Sequence, residues 1–304
     1  MRPLIGEQHQ KYLSASIATF GALLGFEAVS YITGIYQLKI AVLLSFYVYA
    51  FHIFWLTFIF DLHLKKRGVL AEASVNFKGA KMVWEAFKER FSHIRRWEYL
   101  RHYQNYLVLP GLIYWSTVVL ILLNPFNITI KQFMVVSSTI ALAVAYWFMK
   151  EQISRRMEVL HHWIRLLSVV KLFTAFLIYS AIVGVTIHFG YDAFFLFTAA
   201  SSVTFLLIYQ ALFQHNLLNF SIFIWIVIIA LAMGLVSLWV YSFWNYEYFT
   251  AGLVMLAVYN MFWGLLHNHL DKTLSRVVVF EYLAMMALLI TILLATHNFN
   301  QRVI

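Results

Sequence analysis

The sequence predicts an all-α, polytopic transmembrane helix bundle of about nine spans, with the N-terminus inside and the C-terminus outside. Three observations predict it: the composition, the length of the apolar runs, and the distribution of positive charge between the links. Of the 304 residues, 62% are hydrophobic and only 12% are charged, and the mean hydropathy is +0.77. A soluble domain carries about 45–50% apolar and about 25% charged residues. The composition therefore excludes a soluble enzyme, a disordered chain and a nucleic-acid-binding domain. No nucleic-acid partner is expected, and the net charge of +9 reads as basic links facing anionic lipid. The chain has no cysteine, which removes disulfides, Cys-ligated metals and thiol nucleophiles.

A helix needs about 20 apolar residues to cross the hydrocarbon core. Nine stretches meet that length, at about 12–36, 38–62, 105–124, 131–149, 166–188, 193–213, 218–243, 248–268 and 277–296. The start, MRPLIGEQHQKYL, is polar, and the apolar run behind it is too long for a signal-peptide core, so it reads as a retained first span. The least distinct boundary is QHNLLN between the sixth and seventh stretches, where eight spans and one re-entrant segment is the alternative.

Charge fixes the orientation. With the N-terminus inside, the inner segments 1–11, 63–104, 150–165, 214–217 and 269–276 hold 18 of the 22 Lys and Arg residues. Lys39, Lys131 and Arg302 fall outside and Lys171 lies within the fifth span. That bias follows the positive-inside rule. No targeting segment is visible, so the prokaryotic cytoplasmic membrane is the expected location.

The longest link contains an expected amphipathic helix at about 80–100. Trp84, Phe87, Phe91 and Ile94 recur at a spacing of three or four, and Lys81, Lys88, Arg95 and Arg96 fall mainly off that face. Such a helix lies on the membrane surface and orients the span behind it. Pro110 and Gly111 are expected to mark a kink or the end of this surface helix.

Ionisable groups inside a bilayer are costly, so each is a candidate site. They are Glu27 in the outer half of the first span, His52 near the middle of the second, Asp61 and Glu281 near inner ends, and Lys171 one to two turns into the fifth. Lys171 with Asp61 or Glu281 is a proton- or anion-binding site on the functional reading; a structural ion pair or a snorkelling Lys171 is the plainer one. Glu27 has no obvious partner at its depth beyond Ser30 or Tyr31.

Histidines gather at the inner face. His161, His162, His215, His267, His269 and Asp271 are the candidate metal or haem ligands, because imidazole ligates both. His267 and Asp271 share a face if their helix continues, whereas a frayed helix would let His267 and His269 converge. The plainer reading is a ring of headgroup-level histidines. Gly21 and Gly25 form a GxxxG seam for close helix packing. The hydroxyls of Ser137, Ser138, Thr139, Thr198, Ser201, Ser202 and Thr204 are interhelical hydrogen bonds or the lining of a polar path. Trp147, Trp239, Trp244 and their aromatic neighbours form the expected interfacial belt.

The last span has no lysine for a retinal Schiff base, and neither a Gly-x-Ser protease motif, an HExxH zinc site nor a P-loop is present. Three functions remain open on sequence. The first is a small-solute or ion transporter or channel. The second is a structural or assembly subunit, homo-oligomeric or within a larger membrane complex. The third is a membrane enzyme or redox subunit built on the histidines. Membrane lipids are partners in all three.

Overall fold

The computed structural model describes residues 5–35, 40–41, 43–48, 97–123, 128–154, 161–214, 220–244 and 247–296. Every regular element among them is helical. The helices with described bounds are α1 (Ile5–Ile35), α2 (Trp97–Leu123), α3 (Ile128–Ser154), α4 (His161–Phe189), α5 (Ala193–Gln214), α6 (Phe220–Phe243), α7 (Tyr248–Leu270) and α8 (Arg276–Thr296). Residues 40–41 and 43–48 are helical as well. All-helical structure follows from the solvent: lipid offers no partner for a backbone N–H or C=O, so each segment must satisfy its own.

Six helices among the described residues are long and apolar enough to cross a membrane, at Ile128–Trp147, Leu166–Phe189, Ala193–Leu212, Ile222–Phe243, Tyr248–Leu270 and Arg276–Ala295. Shorter apolar stretches, Thr19–Ile35 and Val108–Leu123, lie within α1 and α2. Eight of the nine expected spans thus fall on α1 to α8, and six of them meet the length. The stretches 193–213 and 218–243 are two separate helices, α5 and α6. Most of 38–62 and of the expected surface helix at 80–100 lies outside the described residues.

Of the two expectations at Pro110, the end of a surface helix does not hold. Helix α2 begins at Trp97 and runs unbroken through Pro110 to Leu123, so neither Pro110 nor Gly111 ends a surface helix. Both are buried. A transmembrane helix tolerates proline because neighbouring helices and hydroxyls re-satisfy the freed carbonyls. Trp244 also departs from the expected belt: it is buried, 1% exposed, while Trp239 remains 47% exposed.

The chain divides into two compact units, Met1–Lys171 and Leu172–Ile304. In the first, α1 packs on α3 and α2, and α2 packs on α3. Ala22, Gly25, Phe26 and Val29 form the buried face of α1, so Gly25 lies in the seam and Gly21 is half-buried at its edge. Phe26 stacks on Tyr114 of α2 at 4.9 Å between ring centroids. The hydroxyls of Thr117 and Ser138 pair at 2.8 Å between α2 and α3. The start of α3 lies beside the end of α1, with Lys131 reaching Ser30 and Thr33 and Gln132 reaching Glu27, so these two helices are antiparallel.

In the second unit, α5 packs along α6, and α7 packs on both α6 and α8. Glycine sets these approaches. Gly234 of α6 faces Ser201 and Phe197 of α5, Gly252 of α7 faces Ser180 of α4, and Gly264 of α7 faces the Tyr282 ring of α8. In lipid no hydrophobic force pulls helices together, so close contact through small residues supplies the attraction. The α4–α5 turn is built locally. Gly190 takes φ +64, a left-handed conformation that glycine adopts without a Cβ penalty, and Asp192 Oδ1 then accepts the Phe195 N–H at 2.9 Å to cap α5.

Candidate functional site

Within the first unit, the polar atoms that sequence reading leaves scattered are brought together near the C-terminal end of α1. Glu27 is half-buried. Its Oε2 accepts a hydrogen bond from Gln132 Nε2 of α3 at 3.3 Å. The neighbouring Lys131 sends its ammonium across the same seam. Nζ donates to the Ser30 carbonyl and to Thr33 Oγ1, both at 3.0 Å, and the Glu27 carboxylate attracts it. Thr33 in turn donates to the Ser30 carbonyl at 2.8 Å.

The local reasons are plain. Glu27, Ser30 and Thr33 follow at intervals of three, so neighbours in the set are adjacent on the helix surface. Lys131 and Gln132 occupy the first turn of α3, which starts beside the end of α1 because the two helices are antiparallel. The end of a helix also carries partial negative charge, which favours the ammonium there. The partner of Glu27 is therefore Gln132, not the expected Ser30 or Tyr31, and Tyr31 is exposed. Lys131, counted among the outside cations on sequence, is a member of the cluster that sequence reading missed. The available signal was its position inside the apolar window 128–147.

The other candidates are placed differently. Lys171 is buried in α4 at 8% exposure, and no hydrogen bond or ion pair reaches it among the described residues. Glu281 is exposed on α8. His52, Asp61 and His215 lie outside the described residues, as do the side chains of His161 and His162 at the start of α4.

At the C-terminal end of α7 the helix does not fray at Asn268, whose Nδ2 donates to the Gly264 carbonyl at 2.8 Å. His267 and Asp271 accordingly share a face, with Nδ1 and Oδ2 3.1 Å apart, and the His267 ring sits edge-on to Trp263 at 5.5 Å. His269 points elsewhere, toward Trp225 of α6 at 6.4 Å. Among the described residues no three His, Asp or Glu side chains converge as metal ligands. The His267–Asp271 contact is half open to solvent, and such pairs contribute about 0–1 kcal/mol. Asp271→Asn is expected to lower the unfolding temperature in detergent by no more than about 2–4 °C, the shift that about 1 kcal/mol produces. A larger drop would mean that the pair supports the α7–α8 turn.

Of the hydroxyls singled out in the sequence, Ser138 and Thr204 bond across helices. Thr204 donates to the Ala200 carbonyl at 2.7 Å, so the 2.7 Å contact with Tyr179 is a donation from the Tyr179 hydroxyl. The Tyr259 ring meets Tyr179 at 6.1 Å, tying α4, α5 and α7 together. Ser137, Thr139 and Thr198 each donate to the carbonyl four residues back. Thr204→Val keeps the shape but leaves the buried Tyr179 hydroxyl without its acceptor. It is expected to cost about 1–2 kcal/mol, and Tyr179→Phe in that background should recover part of the loss. A thermal-unfolding double-mutant cycle with no coupling would show the contact to be incidental.

A family model described as "Protein of unknown function (DUF5656)" matches residues 81–296. The chain belongs to this family. The matched region covers more than two thirds of the sequence and includes Lys131, Gln132, Lys171 and the His267–Asp271 pair, while Glu27 and the rest of α1 precede it. No curated protein matches the chain, and no solved structure matches it.

Proposed function

We propose that this membrane protein is a transporter or channel for a small solute or ion, with nine spans, the N-terminus inside and the C-terminus outside, in a prokaryotic cytoplasmic membrane. The observation that carries the reading is the α1–α3 cluster. Two helices contribute a carboxylate, an ammonium, an amide and a hydroxyl to one seam near the C-terminal end of α1. Ionisable side chains within membrane segments are rare and mark function by default, and a bundle needing only adhesion can use the hydroxyl pairs and glycine contacts seen elsewhere.

The helix directions support the topology. From α4 onward the contacts are those of alternating helices. Tyr179 near the middle of α4 meets Thr204 near the middle of α5, Gly234 late in α6 meets Ser201 early in α5, and Gly264 late in α7 meets Tyr282 early in α8.

The second reading, a subunit of a larger assembly, is favoured by α8. None of the 276–295 stretch is buried, and Val277, Phe280, Met285 and Leu288 are each more than 60% exposed. Blue-native electrophoresis of the protein extracted in mild detergent separates the two readings. A transporter runs as a small, uniform particle that restores flux when reconstituted alone. An assembly subunit runs with other polypeptides and gives no flux by itself.

A further inference from the structure

The cluster at the end of α1 has the composition of a cation site that is already filled by a side chain. Both atoms within 3.0 Å of the Lys131 ammonium are oxygens, the Ser30 carbonyl and Thr33 Oγ1. The Glu27 carboxylate acts on it electrostatically and is itself held by the Gln132 amide. The negative pole of α1 points the same way. Carbonyls and hydroxyls near a helix C-terminus, with one carboxylate close by, are the groups that coordinate alkali cations inside membranes. An anion would meet the Ser30 carbonyl, the Glu27 carboxylate and the negative helix end together, so the surroundings disfavour it.

We propose that Glu27, Ser30, Thr33 and Gln132 form a binding site for a hard monovalent cation such as sodium or potassium, and that Lys131 is its tethered competitor. When the Lys131 side chain withdraws, a free cation takes its place against the Ser30 carbonyl, Thr33 Oγ1 and the Glu27 carboxylate. When the ammonium returns, the cation leaves. The net charge at the seam is the same in both states, so the exchange needs no uncompensated charge in the bilayer. This deepens the transport reading by naming the substrate or coupling-ion class, and it rests on that reading only for its purpose, not for its chemistry.

The test is cation-dependent thermal unfolding of the full-length chain in detergent, with choline chloride holding ionic strength constant while sodium, potassium or calcium is titrated. Wild type, Lys131→Ala and Lys131→Ala/Glu27→Gln are compared. Removing the competitor raises the population of the open site, and apparent affinity scales with that population. Lys131→Ala is therefore expected to bind sodium or potassium at least about tenfold more tightly than wild type. Its unfolding temperature should rise with the logarithm of cation concentration above the dissociation constant. The double variant should lose the effect.

An unfolding temperature of Lys131→Ala that is indifferent to both alkali cations overturns the proposal. So does an equal response in the double variant, or a response to calcium alone. If Lys131→Ala cannot be isolated, Lys131→Met keeps the aliphatic stem without the charge and carries the same expectations. Flux measured on the same samples separates the two readings. Cation binding without flux removes transport and keeps the site, whereas flux without cation binding removes the site alone.

Discussion

Glu27→Gln is expected to abolish uptake or conductance in vesicles reconstituted with the purified protein, while leaving the protein folded. Glutamine is nearly isosteric and can still accept from Gln132 Nε2, which is 3.3 Å from the native carboxylate oxygen. Packing of α1 on α3 and α2 is therefore retained, and thermal unfolding should move by no more than about 1–2 kcal/mol, the scale of one hydrogen bond or a screened charge interaction. The lost property is the negative charge, and at least a hundredfold drop in rate is expected if that charge binds the moving species, since a conserved shape with an uncompensated Lys131 repels any cation. Glu27→Asp, which keeps the charge on a shorter stem, should recover part of the rate. Unchanged flux in Glu27→Gln would show the cluster to be a structural tie between α1 and α3.

Gly252→Ala should destabilise the protein, against the ordinary sign for a helix interior. Replacing glycine by alanine in a helix normally gains about 1 kcal/mol through backbone entropy. At Gly252 a Cβ would collide with the Ser180 hydroxyl, and would lie 2.9 Å from both the Ser180 Cβ and its backbone nitrogen. A backbone atom cannot swing aside, so α4 and α7 must separate, and overpacking of this kind costs about 1–3 kcal/mol. Gly252→Leu should exceed that and prevent recovery of folded protein. Ser180→Ala combined with Gly252→Ala should restore only part of the stability, because the backbone nitrogen remains. Gly34→Ala is the control: nothing lies within 4 Å of its Cβ position, so its unfolding temperature should not fall. Equal behaviour of the two glycines in a detergent melting series would remove Gly252 as a packing determinant.

Much of the fold was legible because lipid restricts the choices. An apolar run of about 20 residues in a chain this hydrophobic has helix as its main solution, and eight of the nine expected stretches coincide with helices. Individual side chains were less legible. His267 and Asp271 were readable as a pair because helical spacing fixes their relation once the helix is known to continue. Glu27 was readable as costly, but its partner was not, since nothing local to α1 identifies Gln132, which lies 105 positions away. Lys131 was assigned to the outside by charge counting, a method that treats each cation as belonging to a link and says nothing about where its long stem reaches.

The sequence by itself determined that the chain is helical and membrane-embedded, and where its apolar segments lie. These properties depend on the transfer energy of each segment taken separately. Only the tertiary structure decided that Gly234, Gly252 and Gly264 are the points of close approach, that α2 continues through Pro110, and that Glu27 shares a seam with Lys131 and Gln132. Those outcomes depend on which helix faces meet. In lipid that choice rests on shape and a few hydrogen bonds between distant segments, and neither quantity is written in the periodicity of any one segment.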